Sequence, residues 1–307
     1  MAGQAVVFNR SAPARAPRWQ PRAVIGFLFV APALAAYAIF VLYPFIRTAY
    51  ISLTNWNGFD PAPQFIGLDN YARLFQTEQF WTALWHNIFW IIFGSIGAIG
   101  LGLFLAILVS SRPRGFHVFR TVYFMPQVLG PAIVGVIWLL IYAPRRGFLY
   151  QVGDAFGIEF LRRSLLANSQ TALIGVLLAS IWASIGFFFV IFLAGLQNVD
   201  RDLIDAAKVD GANDWQRFQH VIVPQLAHVI TMVIALGMIG SLKVFDIVWA
   251  MTQGGPGNSS EVLGTYAYLE AFKQQNYGYG SAIVMVTSIL ALVLAVAFIK
   301  IRERRDA

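Results

Sequence analysis

Three polar side chains interrupt one of the most apolar stretches of the sequence. Ser241, Lys243 and Asp246 fall within residues 226–251, where most neighbours are hydrophobic. A charge in hydrocarbon costs at least about 2.5 kcal/mol, so such groups face a partner or a cavity. Lys243 and Asp246 are three residues apart, which permits an ion pair on one helix face. Either this pair locks neighbouring helices together, or it lines a cavity where a polar ligand bonds to one of the charges.

A second polar pair lies in the apolar run 171–194. Ser180 and Ser184 are four residues apart, about one helical turn, and Phe187 follows them. Hydroxyls beside an aromatic face suit a sugar, whose edges are polar and whose C–H faces are apolar. Serines at this spacing are also ordinary packing residues between membrane helices. The sequence leaves both interpretations open.

No catalytic constellation accompanies these residues. The sequence contains no phosphate-binding glycine loop of the Walker type, no HExxH and no GxSxG. It has four histidines, none at metal-ligand spacing from another, and no cysteine. We therefore predict a chain that is not an enzyme and holds no metal or cofactor. Energy for active transport would have to come from another polypeptide.

The elements that carry these side chains are predicted to be membrane helices in an all-α, polytopic fold. The chain is 58% hydrophobic and only 12% charged, whereas soluble proteins have about 25% charged residues. A helix needs about 20 apolar residues to cross the bilayer core. Between a basic tail (1–22) and a short C-terminus (302–307), the transmembrane domain 23–301 has six such runs: 23–46, 88–109, 122–143, 171–194, 226–251 and 281–301.

The distribution of basic residues predicts the orientation of these six spans. If both termini face the cytoplasm, 14 of the Lys and Arg residues outside the spans or at their ends lie on the cytoplasmic side and 7 on the other side. Cytoplasmic loops carry the excess of Lys and Arg in membrane proteins. Four arginines in the loop 144–170 run against this rule, either as solvated surface or as contacts to an external partner. The count places residues 200–224 in the cytoplasm.

The segment 200–224 is polar and lies between two long apolar runs. Asp200 or Asp202 can cap a helix that extends to Val209, and Gly211 can adopt the positive φ that ends it. Asn213 with Gln216 has the spacing of a capping box at the start of a second helix. We expect two short helices joined at a glycine, with a small and partly apolar surface.

The spacing within this segment resembles a known motif. Asp205-Ala206-Ala207, three residues, Gly211, nine residues and Val221-Ile222-Val223-Pro224 are similar to the E-A-A-x3-G-x9-I-x-L-P loop of permease subunits of bacterial binding-protein-dependent ABC importers. The departures are Asp205 in place of Glu and valine at 221 and 223. FIGLDNY (65–71) and TQGGPGNSSEVLGTYAYLEAF (252–272) are also typical of sugar permeases of this family.

The resemblance implies the type I ABC importer fold, with both termini cytoplasmic and a coupling helix that docks on a separate ATPase. ATP and Mg would be bound by that ATP-binding subunit dimer. A second, homologous permease, an extracytoplasmic solute-binding protein and location in the bacterial cell membrane are implied as well. Closure of the ATPase would move the 200–224 segment and alternate access to the substrate. The coupling residues would be Asp205, Ala206, Ala207, Gly211, Val221 and Pro224.

In that family the spans on either side of the coupling helix line the translocation path. We expect the substrate to be a neutral sugar, a di- or oligosaccharide. Glycerol-3-phosphate or a polyol is an alternative, although a phosphate would favour several convergent basic groups and only Lys243 is available. An ion-gradient-driven secondary transporter is the alternative of another class, and it leaves the motif spacing to chance. The substrate-path candidates are Gln127, on the proline-interrupted third run, with Ser180, Ser184, Phe187, Ser241, Lys243 and Asp246.

Overall fold

The structure is a computed structural model that describes residues 21–110 and 115–306. Within these ranges the protein is helical and forms no strand, and its only extended pairing is an isolated antiparallel bridge between Thr54 and Phe65. The predicted all-α membrane fold is confirmed. Most of the basic tail predicted over 1–22 lies outside the described residues.

The described residues form two compact units, one that ends at Thr48 and one that begins at Ala49. The first apolar helix comprises α1 (Pro21–Tyr37), a π-helical turn (Ala38–Leu42) and α2 (Tyr43–Ile51). The 26 residues Gly26–Ile51 are long and apolar enough to cross a bilayer. The span predicted over 23–46 is thus part of a longer helix.

The next long helix begins earlier than the sequence suggests. After α3 (Asp69–Gln76), it comprises α4 (Glu78–Phe89), a π-helical turn (Trp90–Ser95) and α5 (Ile96–Ser110). The predicted span 88–109 therefore starts ten residues late. The first turns of α4 are amphipathic rather than uniformly apolar, and they bury Phe80, Ala83 and Asn87 on one face.

The third span consists of two helices. It comprises α6 (Phe116–Val128) and α7 (Pro131–Ile141), which meet at an angle of 99°. Pro131 occupies the first turn of α7, where its missing N–H costs no hydrogen bond. The predicted interruption is confirmed at Pro131 but not at Pro126, which lies inside α6. The prediction of one span over 122–143 is corrected to a sharply bent pair.

The fourth span is the centre of the bundle. Two short helices, α8 (Phe148–Phe156) and α9 (Glu159–Arg162), precede the 26-residue α10 (Ala172–Gln197), close to the predicted 171–194. α10 packs against α5 and α6. Val176, Ala179 and Phe189 are fully buried, as expected of a helix that is apolar on most faces.

The 200–224 segment folds as α11 (Arg201–Val209), α12 (Asp214–Arg217), a π-helical turn (Phe218–Ile222) and α13 (Val223–Gln225). The fifth span then begins with α14 (Ala227–Leu242). A bend of 74° separates the helical stretch Asp214–Gln225 from α14. Two short helices joined by a glycine turn, as the sequence predicts, are confirmed.

The fifth span does not continue to residue 251. α14 ends at Leu242, residues 243–245 are non-helical, and α15 (Asp246–Met251) follows. The prediction of one helix over 226–251 is therefore wrong at the break. α16 (Leu263–Tyr268) packs closely against this break. A Cβ added to Gly264 would be only 2.8 Å from the Val244 carbonyl oxygen. Only glycine allows this approach.

A π-helical turn (Leu269–Lys273) follows α16, and α17 (Tyr277–Asp306) contains the sixth span, predicted over 281–301. Four helices of the described ranges are long and apolar enough to cross a membrane. The number is six if each bent pair forms one span, which agrees with the six spans predicted.

Candidate functional site

Two adjoining cavities lie between α6, α10 and the break in the fifth span. Their volumes are about 410 and 270 Å³. Gln127, Ser180 and Ser184 line both of them, as do Gly240 and Val244. We call them together the substrate cavity. A cavity of this size is in the range that holds small ligands.

The structure brings all seven predicted path residues to the substrate cavity. Besides Gln127, Ser180 and Ser184, the larger part is lined by Lys243 and Asp246, and the smaller part by Phe187 and Ser241. They come from three spans that are distant in sequence. The bend between α6 and α7 contributes the backbone from Gln127 to Pro131.

Lys243 and Asp246 do not form the ion pair that their spacing permits. Among the ion pairs of residues 21–110 and 115–306, none joins Lys243 to Asp246. The reason is the break: Lys243 caps α14 and Asp246 opens α15, so the two do not share a helix face. Both side chains are exposed. Two charges with opposite sign are thus presented at the cavity wall.

Sequence reasoning missed some of the polar residues around the cavity. Ser95 lines the smaller part, donates a hydrogen bond to the Gly237 carbonyl oxygen (2.8 Å), and contacts the Ser241 hydroxyl (2.6 Å). Asn87 lies two turns earlier on the same helix and is fully buried. The signal was present, since two polar residues eight apart at one edge of an apolar run share a helix face.

The 200–224 segment has the local structure predicted for it. The Asp200 side chain caps α11 by accepting a hydrogen bond from the Asp202 N–H. Gly211 has a φ of +81°, and Asn213 forms a reciprocal capping box with Gln216. Gln225 closes the segment, because its Oε1 accepts from the Asp200 N–H at 2.9 Å. These contacts all lie within residues 200–225 and fix the two helices relative to each other.

The predicted coupling residues fall into two groups. Ala207, Gly211 and Val221 line a hollow of about 360 Å³ between the two short helices. Asp205, Ala206 and Pro224 are exposed outside it. Lys208 donates a hydrogen bond to Asp205 Oδ1 (2.6 Å), and this bond holds the pKa of the carboxyl below its ordinary value.

The surface of the segment also exposes large apolar side chains. Leu203 is 52% exposed, Trp215 67% and Val209 88%. The Trp215 and Phe218 rings are in contact, with centroids 5.5 Å apart. An apolar surface rimmed by charges is typical of a protein interaction site.

The comparisons with known proteins decide the family. Residues 98–305, which include the cavity lining from Gln127 onward and the whole 200–224 segment, match the family described as the inner membrane component of binding-protein-dependent transport systems. The chain belongs to this family. The resemblance inferred from the Asp205–Pro224 motif is therefore confirmed, and the chain is an ABC transporter permease.

Relatives of this permease align over nearly their whole length. The multiple sugar-binding transport system permease protein MsmF of Streptococcus mutans is 32% identical over 279 residues, which are 91% of this permease and 95% of the relative. The trehalose/maltose transport system permease protein MalF of Thermococcus litoralis is 31% identical over 286 residues, covering 92% and 96%.

Solved structures share the fold of this permease. A chain of a bacterial ABC transporter involved in import of the acidic polysaccharide alginate superimposes with a TM-score of 0.81. The match covers 92% of this permease and 96% of that chain, at 20% sequence identity. The type I importer fold expected from the motif is confirmed, and the permease is a multi-pass membrane protein.

Proposed function

We propose that this permease forms the translocation path of an ATP-driven importer for a neutral di- or oligosaccharide. One observation carries the proposal. Seven polar and aromatic side chains, singled out from the sequence alone, line the two adjoining cavities between three membrane spans. The sugar relatives named above support the substrate class.

The chemistry of the cavity suits a sugar. Ser180, Ser184 and Gln127 offer neutral hydrogen-bonding groups, and Phe187 offers an apolar face. Lys243 and Asp246 present one donor and one acceptor of opposite charge, so the pair does not favour a charged ligand of either sign. A neutral polyhydroxylated molecule can bond to both.

The 200–224 segment is the proposed link to the energy source. Its exposed apolar residues and its hollow would receive a separate ATPase, a dimer of ATP-binding subunits that holds ATP and Mg. This permease would then be a subunit without catalytic activity or a cofactor. A second, homologous permease would complete the path, an extracytoplasmic solute-binding protein would deliver the sugar, and the complex would lie in the bacterial cell membrane.

Purification of the tagged permease from its native membrane tests this function. We expect an ATP-binding subunit and a second permease to co-purify. In liposomes with the solute-binding protein, a neutral di- or oligosaccharide should stimulate ATP hydrolysis and be taken up. Uptake by the permease alone, driven by an ion gradient, would contradict the proposal.

An anionic substrate such as glycerol-3-phosphate is the second candidate, because Lys243 alone would attract it, although the neighbouring Asp246 opposes it. Among the described residues that line the cavity, Lys243 is the single basic side chain. Replacing Lys243 by Met separates the candidates. If the substrate is anionic, loss of a charge-assisted hydrogen bond should raise the substrate concentration needed for half-saturation by about tenfold or more. A neutral sugar should be affected far less.

A further inference from the structure

A buried amide joins the second span to the break in the fifth. Asn87 is fully buried on α4. Its Nδ2 donates to the Ser241 carbonyl oxygen at 2.7 Å and lies 3.4 Å from that of Leu242. Its Oδ1 accepts from the Leu263 N–H at 2.8 Å. One side chain therefore contacts the last residues of α14 and the first residue of α16.

The groups that Asn87 satisfies are those that a helix leaves without partners. The last carbonyls of a helix and its first N–H groups have no partner within the helix. Ser241, Leu242 and Leu263 are all buried. In a membrane protein, a helix can break inside the bundle only where the freed backbone groups find partners. Asn87 supplies both a donor and an acceptor for this purpose.

We propose that Asn87 is a positioning residue for the substrate cavity: its amide fixes the break at residues 243–245, from which Lys243 and Asp246 are presented at the cavity wall. The role in transport rests on the function proposed above. The role in fixing the break does not.

The contact differs from ordinary adhesion between helices. Ser95 also joins the second span to α14, but it bonds to the Gly237 carbonyl oxygen and to the Ser241 hydroxyl, both within the continuous part of that helix. Asn87 bonds to the end of α14 and to the start of α16. Its removal would leave α14 packed by Ser95 while releasing the residues that follow Leu242.

Cysteine labelling tests whether Asn87 fixes the break. The chain has no native cysteine, so an introduced one is the only residue labelled in it. Val244→Cys reports on the break, and Gly240→Cys, one turn earlier in α14, is the reference. A Cβ at Gly240 meets no atom within 4 Å, so the reference residue fits. Each reporter is placed in the full chain in native membrane vesicles, and the rate of labelling by a hydrophilic thiol reagent is measured on that chain.

The test compares three changes: Asn87→Leu, Asn87→Ala and Tyr142→Phe. The control, Tyr142→Phe, also removes a buried hydrogen bond to a backbone oxygen, that of Gly175 at 3.0 Å, at a site that lines neither cavity. Loss of a hydrogen bond of ordinary net strength shifts an opening equilibrium by about three- to tenfold. We expect the ratio of the Val244→Cys rate to the Gly240→Cys rate to rise by about that factor in both Asn87 variants and to stay unchanged in the control.

Three outcomes would overturn the proposal. The first is an unchanged ratio in both Asn87 variants, and the second is an equal rise in the Tyr142→Phe control. The third is loss of both Asn87 variants from the membrane while the control is retained, which would assign Asn87 to folding in general.

A second measurement extends the test to transport. In the assembled complex, Asn87→Ala should raise the sugar concentration that half-saturates ATPase stimulation, whereas Tyr142→Phe should leave it unchanged. An equal half-saturating concentration in Asn87→Ala and wild type would refute the role in transport. If no sugar stimulates the wild-type complex, the proposed function fails, and the labelling ratio still decides whether Asn87 fixes the break.

Discussion

Gly211 offers a sharp test of how the 200–224 segment works. Its φ of +81° lies in the left-handed region, and a Cβ added there would meet no atom within 4 Å. The Gly211 N–H donates to Lys208 O (3.0 Å), and the following N–H donates to Ala207 O (2.9 Å), which ends α11. A substitution at this position therefore perturbs the backbone and not the packing.

The size of the effect follows from the backbone. An ordinary residue pays about 1–2 kcal/mol to adopt the left-handed conformation, and Asn pays less. A cost of 1–2 kcal/mol reduces the population of the turn by a factor of about 5–30. We expect Gly211→Asn to be closest to wild type, Gly211→Ala to be impaired and Gly211→Val to be impaired most, because β-branched residues are rare at positive φ.

Sugar uptake per ATP hydrolysed, measured with the complete complex in liposomes, is the appropriate assay. The order of the variants distinguishes the backbone from steric bulk, since Asn is larger than Ala but tolerates the conformation better. Gly211→Ala retaining more coupled uptake than Gly211→Asn would refute the reasoning. Equal amounts of each variant in the membrane are the control.

Three further predictions concern Glu261, Gly264 and Asp205. Burial raises the pKa of Glu261 from 4.5 to about 7 despite a hydrogen bond from Gln79. Between these two pKa values the folded state holds a proton that the unfolded chain releases, so stability falls as the pH rises. Glu261→Gln should therefore lose less Tm than wild type between about pH 5 and pH 8. Gly264→Ala forces a Cβ against the Val244 carbonyl oxygen and should cost about 1–3 kcal/mol, seen as a lower Tm of the detergent-purified protein. In the control Gly100→Ala the added Cβ meets open space, and this change should not lower the Tm. The exposed Asp205 carboxylate is proposed to bind a basic partner, so the ATPase should co-purify with Asp205→Glu but not with Asp205→Lys. Co-purification of the ATPase with Asp205→Lys would contradict that role.

The 200–224 segment could be predicted because its structure is local. The Asp200 cap, the Gly211 turn and the Asn213–Gln216 capping box join residues that are at most five positions apart. Residue type and spacing are sufficient information for such contacts. The same holds for the interruption near Pro131, since proline removes a backbone donor whatever surrounds it.

The break at residues 243–245 could not be predicted from the run 226–251, which is apolar enough to continue as a helix. Its partners lie far away in sequence: Asn87 is 154 residues from Ser241, and Gly264 belongs to another helix. The seven cavity residues could be named without knowing the break, because polar groups in apolar runs need a cavity or a partner. The Lys243–Asp246 ion pair that the spacing permits does not form, for the same non-local reason.

Crosslinking from the 200–224 segment tests the central claim most directly, namely that this permease is coupled through that segment to a separate ATPase. Val209 is 88% exposed on the segment, and Phe156, in the loop predicted to face the opposite side of the membrane, is 76% exposed. A cysteine at either position would be the only one in this chain. With a thiol-specific crosslinker in the purified complex, Val209→Cys should yield an adduct with the ATP-binding subunit and Phe156→Cys should not. No adduct from Val209→Cys in a preparation that contains the ATPase, or an adduct from Phe156→Cys, would contradict the account.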